Sequence, residues 1–290
     1  MSKILAAILR TQGEISELLP QILKEELDAQ PLVRVDEEEG VIKVVLERPL
    51  VEAPAFPEFP VEEAKLRPET RLAYQTEPRS LAADRFRLLR MKLKAYWTAG
   101  KLKKLLITGA LAHDGKSTVL LNLATALAER GKHTVLVVDA DLHHASVTET
   151  LRLKPWAGLT DCLVDDGALL FAIRRIEPLG WYLLPAGEPC KNPTELLQTR
   201  AFGNILDQLT PCFDWILIGS PPVLSLTDSI SLLQHADAAL LVVRAGQTPR
   251  EAVEQTIELL GNKNILGIVL NGVETRDHPY HYYRSTLGLT

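Results

Sequence analysis

The stretch that most constrains this chain runs from Leu105-Leu106-Ile107-Thr108 through Gly109-Ala110-Leu111-Ala112-His113-Asp114 into Gly115-Lys116-Ser117-Thr118. An apolar strand leads through a glycine-bounded loop into a helix, the local frame of a phosphate cradle. Loop N–H groups and the positive end of the following helix hold β- and γ-phosphates, Lys116 neutralises them, and the Ser117 hydroxyl is placed for Mg²⁺. The expected ligand is a nucleoside triphosphate, contacted over Ala112, His113, Asp114, Gly115, Lys116, Ser117 and Thr118. The following helix is expected over 117–130, stopped by Gly131 as a C′ glycine. The strict motif has glycine where Ala110 stands.

The 290 residues, 46% of them hydrophobic, can build a large buried sheet. A formal charge of -5 and the lack of a basic run argue against nucleic acid as a partner. Cys162, Cys190 and Cys212 are widely spaced and form no Cys-x-x-Cys pair, which fits a reducing compartment better than a disulfide scaffold or zinc site. No apolar run is long enough to span a membrane and no signal segment stands at the start, so a cytoplasmic protein is expected.

Residues 1–30 carry apolar positions at helical spacing (Ile4, Leu5, Ile8, Leu9, Ile15, Leu18, Leu19, Ile22, Leu23) and read as an amphipathic arm. That arm either packs on the chain's own core or docks on a protein partner. Residues 31–78 are rich in proline and acidic residues and read as a disordered or extended linker, with one candidate strand at 41–46. From 79 to 275 apolar strands alternate with amphipathic helices, which predicts an α/β fold: a mostly parallel sheet with helices on both faces. Strands are expected at 105–108, 134–139, 181–184, 215–218, 238–243 and 267–270. Helices are expected near 80–98, 117–130, 193–209, 228–235 and 249–260. Residues 276–290 form a polar, tyrosine-containing tail.

Ligands of such sheets bind at the carboxyl ends of the strands. The strand through Val138 ends in Asp139-Ala140-Asp141, two carboxylates at the lip beside the phosphates. Carboxylates there bind Mg²⁺ or take a proton from an attacking hydroxyl. Lys116, Asp139 and Asp141 are the candidate catalytic residues, and Ser117 and Asp139 the candidate metal ligands.

The ordered set Gly115-Lys116-Ser117-Thr118, Asp139-x-Asp141, Gly158-Leu159-Thr160, Gly187 with Asn192-Pro193 and Leu196-Leu197, Ser220-Pro221-Pro222 and Thr227-Asp228 resembles the bacterial tyrosine kinases (BY-kinases) of capsule and exopolysaccharide synthesis. These are P-loop ATPases of the MinD/ParA-like superfamily. The resemblance implies ATP and Mg²⁺ as cofactors, autophosphorylation of a terminal tyrosine cluster matched here by Tyr280, Tyr282 and Tyr283, and an adenine contact from Asn271. It matches Asp84-x-x-Arg87-x-x-Arg90 to an oligomerisation helix, which implies a homo-oligomer. It also implies a membrane polysaccharide co-polymerase as the partner that recruits the chain to the inner face of the membrane. Read from spacing alone, Asp84, Arg87 and Arg90 share a helix face, a spacing whose commoner meaning is a solvated surface. The alternative for the tail is packing on the sheet edge.

The chain departs from that family at the phosphate. Gly219 stands where the family has the Walker B aspartate, Ala112-His113-Asp114 replaces Pro-Gly-Glu, and His143 replaces an arginine; adjacent His143 and His144 read as loop residues. His113 lacks the freedom of glycine to take positive φ. Two further readings therefore accompany the kinase: a catalytically impaired regulator or scaffold of the same export machinery, and a ParA/MinD-like partitioning ATPase.

Overall fold

The computed structural model describes residues 32–38, 41–47, 58–67, 70–164 and 169–273, in two compact units, Met1–Phe56 and Pro57–Thr290. In the first unit, β1 (Leu32–Glu38) and β2 (Val41–Glu47) pair antiparallel with Val35 opposite Val44. One strand was expected there inside a linker. Val33 and Val35 supply β-branched residues that favour extended backbone in β1, the strand that was not expected. The arm at 1–30 and the tail at 276–290 lie outside the described residues.

The second unit begins with β3 (Val61–Glu63), α1 (Ala73–Thr76), α2 (Leu81–Thr98), β4 (Lys104–Gly109), α3 (Lys116–Ala128) and β5 (Val135–Asp139). Next come α4 (Ser146–Leu151), α5 (Leu159–Val164), α6 (Leu169–Ala172), β6 (Arg174–Glu177), β7 (Trp181–Leu184), α7 (Pro193–Leu197) and α8 (Arg200–Leu209). It closes with β8 (Trp215–Gly219), α9 (Asp228–Leu233), β9 (Ala238–Arg244), α10 (Arg250–Leu260) and β10 (Ile265–Asn271). The eight strands lie in the order β10-β9-β4-β8-β5-β7-β6-β3, every neighbouring pair parallel except β6 with β7.

Alternate residues of the central strands feed two cores, as a strand period of two demands. Leu105, Ile107, Val135, Val137, Trp215 and Leu217 pack with Leu120, Leu123 and Leu127 of α3 on one face. Leu106, Leu136, Val138, Ile216 and Ile218 pack with Phe202, Ile205 and Leu206 of α8 on the other. The continuously apolar strands are thus the ones covered on both sides.

The folded unit reaches further towards the N-terminus than the expected boundary at 79. β3 joins the sheet edge through β6, and Asn122 of α3 ties the 70–76 segment by accepting from the Tyr74 N–H (3.0 Å) and donating to Arg71 O (2.9 Å). Prolines confine this segment to an edge strand and a short helix without excluding it from the fold. β6 went unforeseen because Arg174-Arg175-Ile176-Glu177 carries its charges in the strand, where Arg174 pairs with Glu62 at 2.7 Å. The helix expected over 193–209 is interrupted: Thr199 takes an extended ψ of 160° and its hydroxyl donates to Leu196 O. Helix α3 ends at Ala128, earlier than expected, because Glu129 and Arg130 already take positive φ (46° and 60°) before Gly131.

Candidate functional site

Strands β4 and β5 flank β8, and both Ile107 and Asp139 stand in register with Gly219. The loop from β4 to α3 and the loops after β5 and β8 therefore open at one lip. Gly109 has no room for a side chain, since a Cβ would lie 2.9 Å from Val242 O. Gly115 turns the chain into α3 at φ 93°, and a Cβ there would collide with Asn271 Nδ2. His113 takes φ 65°. The left-handed turn is thus made without glycine, at a cost of about 1–3 kcal/mol that surrounding contacts must meet.

Those contacts come from the ends of β9 and β10. Arg244 Nη1 donates to His113 O (3.0 Å), and Asn271 Nδ2 donates to Asp114 O (3.0 Å). The buried Asp114 carboxylate accepts from the Leu111 N–H (2.9 Å) and from the Thr248 hydroxyl (2.6 Å). Asp114 and Asn271, expected as nucleotide contacts, are placed as braces of the loop. Arg244 and Thr248 were missed by sequence reasoning, because neither belongs to a motif and each reaches the loop only through the sheet.

An open cleft of about 480 Å³ lies over the loop, lined by His113, Lys116, Ser117, Asp141, His143, Ser146, Pro221 and Arg244 among others. Its size lies within the usual range of small-molecule sites. Lys116 Nζ donates to Leu111 O at 3.1 Å. Burial lowers the Lys116 pKa from its ordinary value, while Asp114 and Asp141 pull it back up.

Beneath the cleft a void of about 10 Å³, the room of one water, is lined by Lys116, Ser117, Leu120, Asp139, Asp141, Ser146, Val147, Gly219 and Ser220. Asp139 is 1% exposed and accepts from the Val147 N–H at 3.3 Å. Burial raises its carboxyl to a pKa of about 7. Asp141 is also raised, by burial first, against the His144 N–H and the charges of Lys116, His143 and His144. Ser117 Oγ lies 2.7 Å from Ser146 Oγ, at the first residue of α4. Ser117, Asp139 and Asp141 are hard oxygen donors beside a phosphate loop, a donor set that fits Mg²⁺ completed by phosphate oxygens and water.

Gly219 leaves β8 without a carboxylate, and a Cβ there would lie 2.7 Å from Leu120 Cδ2. Asp214 is at the other end of β8, where it accepts from the Thr134 N–H (2.9 Å) and hydroxyl (3.2 Å). His143, expected as a loop residue, has Nε2 2.9 Å from Asp228 Oδ2, a fully buried carboxylate at the start of α9. Both His143 and His144 line the cleft.

On α2, Arg87 pairs with Asp84 and donates to Pro78 O, while Arg90 reaches Tyr74 Oη (3.1 Å), Ala126 O (3.2 Å) and Glu129 (3.4 Å). These contacts bind α2 to α1 and α3 within the chain. Tyr280, Tyr282 and Tyr283 lie outside the described residues.

A family model described as an AAA domain matches residues 113–263. The chain is 30% identical over 211 residues to the tyrosine-protein kinase YwqD of Bacillus subtilis (strain 168), covering 72% of this chain and 89% of that protein. It is 28% identical over 205 residues to the succinoglycan biosynthesis transport protein ExoP of Rhizobium meliloti (strain 1021), 69% of this chain but 26% of that protein. The kinase domain of the Escherichia coli tyrosine kinase ETK superposes with a TM-score of 0.69 at 27% identity, covering 74% of this chain and 84% of that one.

Proposed function

This chain belongs to the bacterial tyrosine-kinase family of P-loop ATPases, and on that premise we propose that it binds Mg-ATP and phosphorylates Tyr280, Tyr282 and Tyr283 of its own kind. The observation that carries the reading is the meeting of Lys116, Ser117, Asp139 and Asp141 around one cleft and one void. Lys116 holds the phosphates. Asp139 lines the buried void with Ser117 and serves the metal, whereas Asp141 lines both void and cleft and takes the proton of the incoming tyrosine hydroxyl. The tyrosine oxygen then bonds to the γ-phosphorus, the bond to the β–γ bridging oxygen breaks, and ADP leaves. Mg²⁺, when bound, neutralises phosphate charge. The adenine contact of Asn271 stays a part of this proposal, beside its bond to the loop at Asp114 O.

No helix among the described residues is long and apolar enough to cross a membrane. The proposed site of action is the inner face of the membrane, reached through a polysaccharide co-polymerase, with α2 contributing Asp84 and Arg87 to a homo-oligomer. Arg87→Glu is the variant that tests this assembly, because Arg90 is committed to Tyr74, Ala126 and Glu129. A lower mass in light scattering supports the oligomer; an unchanged mass returns α2 to a solvated face.

A second reading is favoured by Gly219: a regulator of the same machinery that binds ATP and turns it over poorly. Incubation with labelled ATP and Mg²⁺ followed by mapping of phosphotyrosine separates the two. Label on the three tail tyrosines, absent in Lys116→Met, supports the kinase. ATP binding without label supports the regulator.

A further inference from the structure

The bare end of β8 raises a specific chemical question. A serine hydroxyl that turns a lone pair towards a metal ion keeps its hydrogen, and that hydrogen needs an acceptor. The family's strand-end aspartate is absent at Gly219, and Leu120 leans into the space beside it. Of the other oxygens at the void, Ser220 Oγ and one oxygen of each carboxylate have partners of their own. Ser220 Oγ accepts from Ser229 Oγ (3.0 Å) and lies within reach of the carbonyls of Ile107 and Pro221. Asp139 Oδ2 accepts from the Val147 N–H, and Asp141 Oδ1 from the His144 N–H. The oxygen that Ser117 meets is Ser146 Oγ at 2.7 Å, in a pair that either hydroxyl can donate.

We propose that Ser146 is the positioning residue that accepts the Ser117 hydroxyl hydrogen and so aims the Ser117 oxygen at the metal, in the place left by the missing strand-end carboxylate. Three features of the fold support it. Ser146 lines both the water-sized void and the open cleft, so it stands between the buried Asp139 and the cleft. The start of α4 is fixed to the site by the Val147 N–H on Asp139, and the Ser146 N–H donates to His144 O at 2.6 Å. A hydroxyl suits the role because it can accept one hydrogen bond and still donate another. Outer-sphere partners of this kind orient the atoms that bind metal. The inference rests on the Mg-ATP reading above, and its test is chosen to separate the two.

The experiment is calorimetric titration of ATP into the full chain, in Mg²⁺ and in chelator, for wild type, Ser146→Ala, Ser146→Thr, Ser117→Ala and Ser117→Ala/Ser146→Ala. The quantity read is the ratio of ATP affinities with and without Mg²⁺. Ser146→Ala is expected to shrink that ratio by about 10–100-fold, and Ser146→Thr, which keeps the hydroxyl, to hold it near wild type. In the Ser117→Ala background the second change adds no loss, because the acceptor has nothing left to orient. A wild-type ratio in Ser146→Ala, or losses that add in the double variant, overturns the inference while leaving the Mg-ATP site standing. A wild-type chain that binds no ATP, or binds it without regard to Mg²⁺, overturns the site and the inference together.

Discussion

The ends of β5 and β8 are neighbours in one sheet, with Asp139 opposite Gly219, yet they are built on opposite principles. β5 ends in a buried carboxylate whose proton affinity is raised and is followed at once by a second, more accessible one. β8 ends in a glycine against which an α3 leucine packs. A polar cluster therefore sits on one side of the void and apolar contact on the other. A phosphate loop and its strand neighbours thus need not carry charge symmetrically: the carboxylates stand at the end of β5 and just beyond it, and a hydroxyl on α4 lines the same void as Gly219.

The comparison breaks most severely if charge is removed from β5. Asp139→Asn or Asp141→Asn is expected to lower tail phosphorylation by about 10²–10³-fold, the usual loss of a preorganised electrostatic group. Phosphotyrosine mapping under single turnover measures it. Rates within threefold of wild type would place the chemistry elsewhere.

Protonation sharpens the same contrast. The folded Asp139 carboxyl titrates at about 7 against 3.8 ordinarily, so the folded state holds its proton more tightly than the unfolded chain. Stability is then highest at low pH, as far as this group is concerned, and falls by a few kcal/mol as pH rises from about 4 to about 7. Denaturant unfolding without nucleotide at about pH 4 and about pH 8 should show wild type losing distinctly more than Asp139→Asn. An equal loss in both would remove Asp139 as the cause. Mg²⁺ binding should strengthen over the same rise in pH, since the metal needs the carboxylate.

Lys116 and Asp141 act on each other by charge, with Asp114 acting on Lys116 as well. Lys116→Met is expected to weaken Mg-ATP binding by roughly 1.5–3 kcal/mol, the range of a charge-assisted contact, with the fold intact. Calorimetry reads the affinity and circular dichroism the fold. An unchanged affinity would end the phosphate-cradle assignment.

At β8 the expected change is the smallest and the most conditional. Gly219→Asp adds a carboxylate beside the void but drives its Cβ against Leu120 Cδ2 at 2.7 Å. It should cost about 1–3 kcal/mol by overpacking while raising tail phosphorylation. Leu120→Ala should be less damaging in the Gly219→Asp background than alone, a non-additivity read by denaturant unfolding. If Gly219→Asp unfolds no more readily and labels its tail no faster than wild type, the two strand ends are not the functional opposites described above.

Much of this was legible in the residues. The apolar strands 181–184 and 215–218 and the loop from Gly109 to Thr118 followed from periodicity and glycine placement, and the sheet delivered Asp139 and Asp141 to the lip. Short elements were not legible: α4, α5 and the charged β6 are too brief or too polar to carry a period. The linker was overdrawn for the same reason, since β3 and the 70–76 segment are held by partners far along the chain.

The sequence by itself determined that this chain builds a mostly parallel sheet covered on both faces, with a phosphate loop and two carboxylates at its lip, because hydrophobic period, glycine freedom and charge are local properties. Tertiary structure alone decided which groups steady that loop and what fills the space beside Gly219. Arg244 and Asn271 at strand ends and Thr248 in the turn after β9 act from more than a hundred residues away in the chain. Leu120 and Ser146 take their places only when α3 and α4 dock on the sheet. Contacts between distant segments follow from packing, which no local pattern encodes.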